Sequence, residues 1–246
     1  MKVFITGVSS KIGMALAHEL LRQDHEVWGV ARTKDFLKEF LSKQKMDEHF
    51  SFSVCDITKS EDIIRVGEEM MEAKFLPDTV IFGSGILEFD IIPEFNYEAF
   101  VRMHLTNCLG ALSWVNWFLP YFKKRGHGVF VAIASTQIFH SNNMSAGYAA
   151  SKVALAIAFR NLRIRYAQEN IFFTNVYFGP VITKKNPIKK NFFVQEPRSV
   201  VPCIIRALSG RRAGYYKPFF LKPILVLSLL FPDRFMITIL EYLRRE

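Results

Sequence analysis

The chain has 246 residues, half of them hydrophobic, which is enough to bury a sizeable core as one domain. Its three cysteines, Cys55, Cys108 and Cys203, are scattered and form no C-x-x-C pair, which argues against a disulfide framework or a zinc site and fits a reduced, cytoplasmic compartment. The formal net charge is +9, and all of the excess falls in 184–246, where 13 basic residues meet four acidic ones. Such an asymmetry points to an acidic partner, either a phosphorylated substrate or a membrane surface; no recognition motif accompanies it, so nucleic acid is not expected.

Strand-like and helix-like segments alternate from the start. Residues 2–6 (KVFIT) are β-rich, and the opening MKVFITG lacks the charged start and longer apolar region of a signal peptide, so it reads directly as a first strand. Apolar residues then recur at helical spacing over 12–21. A second strand is expected at 26–31 (EVWGVA), a charged helix at 34–42, a third strand at 50–54 and a helix at 60–73 with Ser60 as its cap and Glu61 in its first turn. A fourth strand at 79–82 precedes one long helix over 97–122, with Pro120 near its end. Strand 129–134, helix 147–168 and strand 171–177 complete the pattern. This alternation predicts an α/β fold, a doubly wound parallel sheet with helices on both faces, and no repeat or linker divides it.

Two loops carry chemistry. The first, Thr6-Gly-Val-Ser-Ser-Lys-Ile-Gly13, lies between a strand and a helix, where backbone N–H groups and a helix N-terminus can meet a pyrophosphate. Gly7 permits a tight turn and Gly13 close packing of the helix; an ordinary glycine turn is the plainer reading of two glycines alone. The second stretch runs from Ser135, at the end of strand 129–134, to Lys152. Tyr148 and Lys152 are four residues apart, so on a helix they share a face. A phenol is a poor acid at neutral pH, with an unperturbed pKa of about 10, and a neighbouring cation lowers that value. The spacing is common by chance, so the weight lies on the order of the motifs and on Ser135 standing where ligands of open α/β sheets bind.

With these residues in view, the chain resembles the short-chain dehydrogenase/reductase family from Met1 to about Leu208. The family's T-G-x-x-x-G-x-G loop is met by Thr6, Gly7 and Gly13, and its Asp after the third strand by Asp56, which there bonds the adenine amino group. Its Asn in the long helix is met by Asn107, its Ser by Ser135, and its Y-x-x-x-K by Tyr148 and Lys152. The loop after the sixth strand appears as Phe178-Gly-Pro-Val-Ile-Thr183. The resemblance implies a Rossmann-like fold and a catalytic set of Asn107, Ser135, Tyr148 and Lys152. Tyr148 would act as acid/base, Lys152 would hold the nicotinamide ribose and depress the Tyr148 pKa, and Asn107 would position a relay water. The plainer reading of Asn107 is a polar residue satisfied at a helix contact. The implied cofactor set is Gly7, Ser9, Ser10, Lys11, Ile12 and Gly13 in the first loop; Arg32, Asp56, Ile57 and Gly83 along the rim; Tyr148 and Lys152; and Gly179, Val181 and Thr183 after the sixth strand.

The chain departs from the family in three places. Lys11 replaces the middle glycine, so the loop must open or the side chain must point outward; Phe82-Gly-Ser-Gly85 replaces N-N-A-G; and Phe178 replaces a proline. At the end of the second strand an acidic residue would favour NAD(H), whereas Ala31 is followed here by Arg32 and Lys34. Arg32 can bind a 2′-phosphate, so NADP(H) is preferred over NAD(H); a residue on a solvated helix entry is the alternative.

The expected function is therefore NADP(H)-dependent reduction of a ketone or aldehyde, or oxidation of the matching alcohol. The alternative is a nucleotide-binding member with a sensing or partner-binding role and little turnover. Segment 182–195 falls where the family places its substrate lid, and its four lysines with Phe192 and Phe193 suggest a largely apolar substrate; His140 is a candidate for the entrance, or an ordinary loop histidine. A homodimer through the long helix and the Tyr148 helix is expected from the resemblance. The Rossmann domain is assigned to 1–214 and a hydrophobic, basic helical extension of it to 215–246. That extension, with short helices at about 224–231 and 235–243, is too interrupted to span a bilayer; it would cover the pocket or a subunit interface, or else rest peripherally on a membrane.

Overall fold

The computed structural model describes residues 1–37, 40, 48–91, 93–136, 145–182, 194–219 and 223. Its elements in chain order are β1 (Lys2–Thr6), α1 (Lys11–Arg22), β2 (Glu26–Ala31), β3 (Phe50–Val54), α2 (Ser60–Glu72), β4 (Thr79–Phe82) and α3 (Tyr97–His104). A π-helical turn (Leu105–Leu109) then leads into α4 (Gly110–Arg125), followed by β5 (Gly128–Ser135), α5 (Ala146–Tyr166), β6 (Ile171–Phe178), α6 (Pro197–Ala207) and β7 (Gly214–Lys217).

The strands form one sheet of order β3-β2-β1-β4-β5-β6-β7, every pair of neighbours parallel. Side chains alternate across a strand, so a strand covered on both faces is apolar throughout. On β1, Phe4 enters one core with Val80, Phe82, Phe130 and Phe173, against Val66 and Met70 of α2, Trp114 and Phe118 of α4, and Leu155 and Phe159 of α5. Val3 and Ile5 enter the other, with Ile81, Val131 and Val176, against Leu16 and Leu20 of α1 and Val200 and Ile204 of α6. In the first core a column of rings runs from Phe4 to Trp114 (4.6 Å), on to Phe118 (5.4 Å) and Phe122, then to Phe130 (4.8 Å) and Phe173 (4.8 Å). Offset and tilted ring pairs of this kind add to the stabilisation from area burial.

The fold is the doubly wound parallel sheet that the alternation predicts, with differences in detail. The helix expected over 97–122 is interrupted: at Leu105–Leu109 the backbone widens, with Gly110 N donating to Leu105 O, before α4 continues to Arg125. Single π turns inside α-helices recur at functional sites, and hydrophobic spacing carries no signal for them. Lys59, not Ser60, stands at the N-cap of α2 and makes no side-chain cap; Glu61 and Asp62 supply first-turn charge, and Asp62 instead accepts from Asp56 N at 2.8 Å. Helix α6 and strand β7 were not anticipated, although Pro197 begins α6 and Val200, Val201 and Ile204 form its buried stripe. Strand β7 includes Tyr215, Tyr216 and Lys217, so the sheet itself continues past residue 214. Residues 38, 39, 41 and 42 of the helix expected over 34–42 and most of the C-terminal extension, including both of its short helices, lie outside the described residues. Among the described residues, no helix is long and apolar enough to cross a membrane.

Candidate active site

Parallel strands bring their C-terminal ends to one edge, and in this order the sheet reverses its winding between β1 and β4. The crevice there is where open α/β sheets take ligands. The two exits are packed back to back. Gly83 N donates to Thr6 O (3.1 Å) and Ser84 N to Thr6 Oγ1 (3.3 Å). Gly7 has φ +71°, and a Cβ there would come within 2.7 Å of Ser84 N, so no larger residue fits. On the other side Gly7 N and Val8 N both donate to Val30 O (2.9 and 3.2 Å), which ties the loop to β2.

Ser9 and Ser10 are exposed at the rim, and Ser10 caps α1 by accepting from Gly13 N at 2.9 Å. A Cβ on Gly13 would run into Gly7 O, so the helix lies hard against the loop. Lys11 is the first residue of α1 and Ile12 the second. Among the described residues, positive φ outside glycine occurs only at Asp24, Lys74 and Asn170, so Lys11 in place of the family's glycine brings no left-handed backbone, and Ser10 N donates across the turn to Gly7 O (3.0 Å).

Further along the edge, Arg32 is exposed directly after β2 and Asp56 is half-buried two residues after β3. The ends of these strands are joined by Cys55 N donating to Ala31 O (2.9 Å), so both residues flank one stretch of rim. Asp56 Oδ1 accepts from Thr58 N (3.0 Å) and Thr58 Oγ1 (2.7 Å), which fixes the turn. Ile57 is buried against Gly110, where a Cβ would strike the Ile57 carbonyl. After β6, Gly179 N donates to Lys217 O at 3.4 Å and Val181 bridges Gln195, whose N–H donates to Pro180 O (2.7 Å) and whose carbonyl accepts from Ile182 N (3.0 Å). The two ends of the expected lid are thus pinned together. Thr183, Phe192, Phe193 and His140 lie outside the described residues.

The chemical groups converge between β5 and α5. Ser145 caps α5 by accepting from Tyr148 N (3.2 Å), and the Tyr148 phenol is hydrogen-bonded to Ser135 at the last position of β5. One turn on, Lys152 is buried and donates from Nζ to Ile133 O at 2.9 Å. Gly85 lies over it: a Cβ there would stand 3.3 Å from both Lys152 Nζ and Asn107 Oδ1. Asn107, in the π turn, makes three hydrogen bonds through its amide. Its Oδ1 accepts from Ile86 N (2.8 Å), and Nδ2 donates to Ile86 O (2.9 Å) and Ser151 Oγ (3.0 Å). The second lone pair of Oδ1 is all the polar capacity left to that side chain.

Burial dominates the electrostatics. It pushes the Tyr148 pKa above its ordinary value, against a lowering by the Ser135 hydrogen bond, and it depresses Lys152 to about 8, against a small opposing pull from Cys108. In this state desolvation, more than any neighbouring charge, sets the direction of the Tyr148 shift. Desolvation drives both groups toward their neutral forms, and the ammonium is directed at a backbone carbonyl. The structure thus brings Ser135, Tyr148, Lys152 and Asn107 together. It also assigns parts to residues that sequence reading passed over: Ser145 and Ser151, and Asp90, which accepts from Ala146 N and Gly147 N. Ser145, three residues before Tyr148, is a cap signal visible in the sequence; Asp90 carries none.

Comparison with known proteins agrees with this fold. A family model described as short chain dehydrogenase matches residues 1–191. An uncharacterized oxidoreductase of Staphylococcus haemolyticus is 27% identical over 208 residues, covering 83% of this chain and 89% of that protein. The NADPH-dependent pterin aldehyde reductase of Arabidopsis thaliana is 29% identical over 154 residues, 62% of this chain and 64% of that protein. Among solved structures, a short-chain dehydrogenase from Streptomyces avermitilis superposes with a TM-score of 0.79 at 20% identity, covering 93% of this chain and 91% of that one. Serine dehydrogenase from Escherichia coli gives 0.76 at 18%, covering 88% and 95%.

The Lys152 burial has a measurable consequence. Its folded pKa lies below the ordinary 10.5, so below about pH 8 the folded state carries the full penalty of a buried ammonium, and that penalty fades as pH rises from about 8 to 10.5. At about 1.36 kcal/mol per pKa unit the penalty is about 3 kcal/mol. Lys152→Met should therefore stabilise the fold by about 1–3 kcal/mol at pH 7, after loss of the Ile133 hydrogen bond, and gain little at pH 10.5. Denaturant unfolding at the two pH values checks this; equal midpoints for parent and variant at pH 7 would contradict it.

Proposed function

The chain belongs to the short-chain dehydrogenase/reductase family, and within it we propose an NADP(H)-dependent oxidoreductase that reduces a ketone or aldehyde, or oxidises the matching alcohol. The observation that carries this reading is the hydrogen-bonded Ser135–Tyr148 pair with Lys152 one helical turn beyond, set beside the crevice between β1 and β4.

The residues present fit a dinucleotide. Gly7 and Gly83 bring no side chain to the crevice floor, and the loop runs directly into the N-terminus of α1, whose dipole favours a pyrophosphate. In this reading Arg32, exposed after β2, takes a 2′-phosphate, and Asp56 with Ile57 takes the adenine side of the same rim. The NADPH dependence in the name of the Arabidopsis relative accords with this preference. When bound, the nicotinamide supplies the hydride. Ser135 and Tyr148 hold the substrate oxygen, and Tyr148 gives up its proton as negative charge develops there. Lys152 carries a positive charge below about pH 8, which stabilises the phenolate left behind. Asn107 keeps Ile86 and Ser151 in place around that ammonium, and in this reading the relay water is held through its remaining lone pair.

The partner is a second copy of the chain. On α5, Val153, Ile157 and Ile164 are exposed at positions i, i+4 and i+11, which fall on one helical face, and Leu105 and Leu109 are exposed on the π turn. An apolar stripe on the helices flanking the site supports a homodimer through this face.

Three outcomes are expected. Tyr148→Phe leaves NADPH binding within about twofold and lowers turnover by at least about 10³-fold, measured by NADPH oxidation over a ketone and aldehyde panel; near-parental rates would remove Tyr148 as the acid. NADPH binding by the parent without turnover on any member of the panel would favour a sensing role. Arg32→Ala weakens NADPH by about tenfold and NADH by less than twofold in fluorescence titration, and equal losses would assign Arg32 to general electrostatics. Ile157→Glu converts the dimer to monomer in sedimentation velocity, whereas an unchanged sedimentation coefficient would place the interface elsewhere.

A further inference from the structure

Asp90, in the segment that leaves β4, has no solvent exposure. A carboxylate taken out of water is costly unless its oxygens are met. Both are met at one place: Oδ1 accepts from Ala146 N and Oδ2 from Gly147 N, each at 2.8 Å. These are the first two residues of α5, 56 and 57 positions along the chain. With Ser145 Oγ accepting from Tyr148 N, all three opening amides of the helix are satisfied, and the negative charge stands at the end that the helix dipole favours.

The contact is closely confined. A Cβ on Gly147 would stand 2.9 Å from Asp90 Oδ2, 2.7 Å from Met103 Cε and 3.0 Å from Phe100 Cα, so the start of α5 cannot move toward its neighbours. The segment that presents Asp90 is held in turn. Asn107 binds Ile86 in both directions, Arg102 pairs with Glu88 at 2.6 Å, and Asp90 O accepts from Asn96 N at 2.7 Å.

We propose that Asp90 is a positioning residue: it fixes the first turn of α5 and through it the placement of the Tyr148 phenol against Ser135. The proposal rests on the reading of Tyr148 as proton donor. Tyr148 follows Gly147 directly, so a shift of the anchored amides is passed to the ring, and a displacement near 1 Å at a reacting group can cost about 10²-fold in rate. A neutral amide at position 90 would remove the charge and turn one N–H against another.

The test uses the full chain with Asp90→Asn and Asp90→Glu. In Asp90→Asn, amide exchange at 146–148 should accelerate by about tenfold or more while the rest of α5 exchanges as in the parent. NADPH affinity should stay within about threefold. Turnover per NADPH-binding site should fall about 10–100-fold with KM within about threefold. In a Tyr148→Phe background the same substitution should lower the residual rate by less than twofold, because Asp90 acts through that ring; an equal loss in both backgrounds would make Asp90 merely structural and overturn the proposal. Asp90→Glu, which keeps the charge but moves the oxygens by a methylene, should lose at least about fivefold, and full activity there would also overturn it. If the parent turns over no carbonyl, the functional reading fails while the positioning remains decided by exchange at 146–148 and by the ultraviolet titration of Tyr148 against Tyr148→Phe. Unchanged exchange and an unshifted titration in Asp90→Asn would end it.

Discussion

Burying the Lys152 ammonium is the constraint around which the site is arranged. Desolvation holds its pKa near 8, which leaves a proton that the fold would rather lose buried near the C-terminal ends of β4 and β5. The surroundings answer that cost with a backbone carbonyl from Ile133 and with a glycine, Gly85, where any side chain would press on Nζ. The phenol one turn earlier is half-buried, and desolvation raises its pKa, so it stays neutral. Neither group is tuned by the other so much as by exclusion from water, which is also what makes charge developing between them expensive to leave uncompensated.

The sheet decides where this burial happens. Because β1 and β4 are neighbours and leave the sheet in the same direction, the glycines at their exits meet at the floor of the crevice. The register of β5 against β6 runs to Ser135 and Phe178, so the hydroxyl that meets Tyr148 is the last paired residue of its strand. Two apolar cores, one on each face, keep these strand ends from shifting. The ring column from Phe4 to Phe173 crosses β1, β5 and β6 beneath the site.

What the sequence made legible follows from the range of the physics involved. Strands β1 to β6 and helices α1, α2 and α5 are local patterns of period two or near 3.6, and they fall within two residues of the observed bounds. The order of Gly7, Asp56, Asn107, Ser135, Tyr148 and Lys152 is likewise visible, because each sits at an element end or on a helix face that periodicity defines. The π turn at Asn107 was hidden because it spans only five residues, Leu105–Leu109, too few for a change of period to stand out. Strand β7, four residues long and half-buried, carries too short a pattern to separate from the tail. Ser60 shows the opposite error: a good cap residue stood one position inside the helix, and a tertiary bond through Asp62 took over the turn before it.

Asp90 lay beyond reach for a different reason: its meaning is the contact it makes more than fifty residues away. Between Gly83 and Asp90 the chain touches nearly every working part in turn. Gly83 and Ser84 lie on Thr6 and Gly7, Gly85 lies over Lys152, Ile86 is held by Asn107, Glu88 by Arg102, and Asp90 holds the first turn of the Tyr148 helix. Eight residues therefore join the floor of the crevice to the proton donor through hydrogen bonds and close backbone contacts, with no free hinge between them among these contacts. Packed elements of this kind shift between discrete arrangements instead of deforming smoothly. The side-chain amides that the family carries after β4 are absent from Phe82-Gly-Ser-Gly85, and the rigidity of the segment is supplied instead from outside it, by Asn107, Arg102 and the helix that Asp90 anchors.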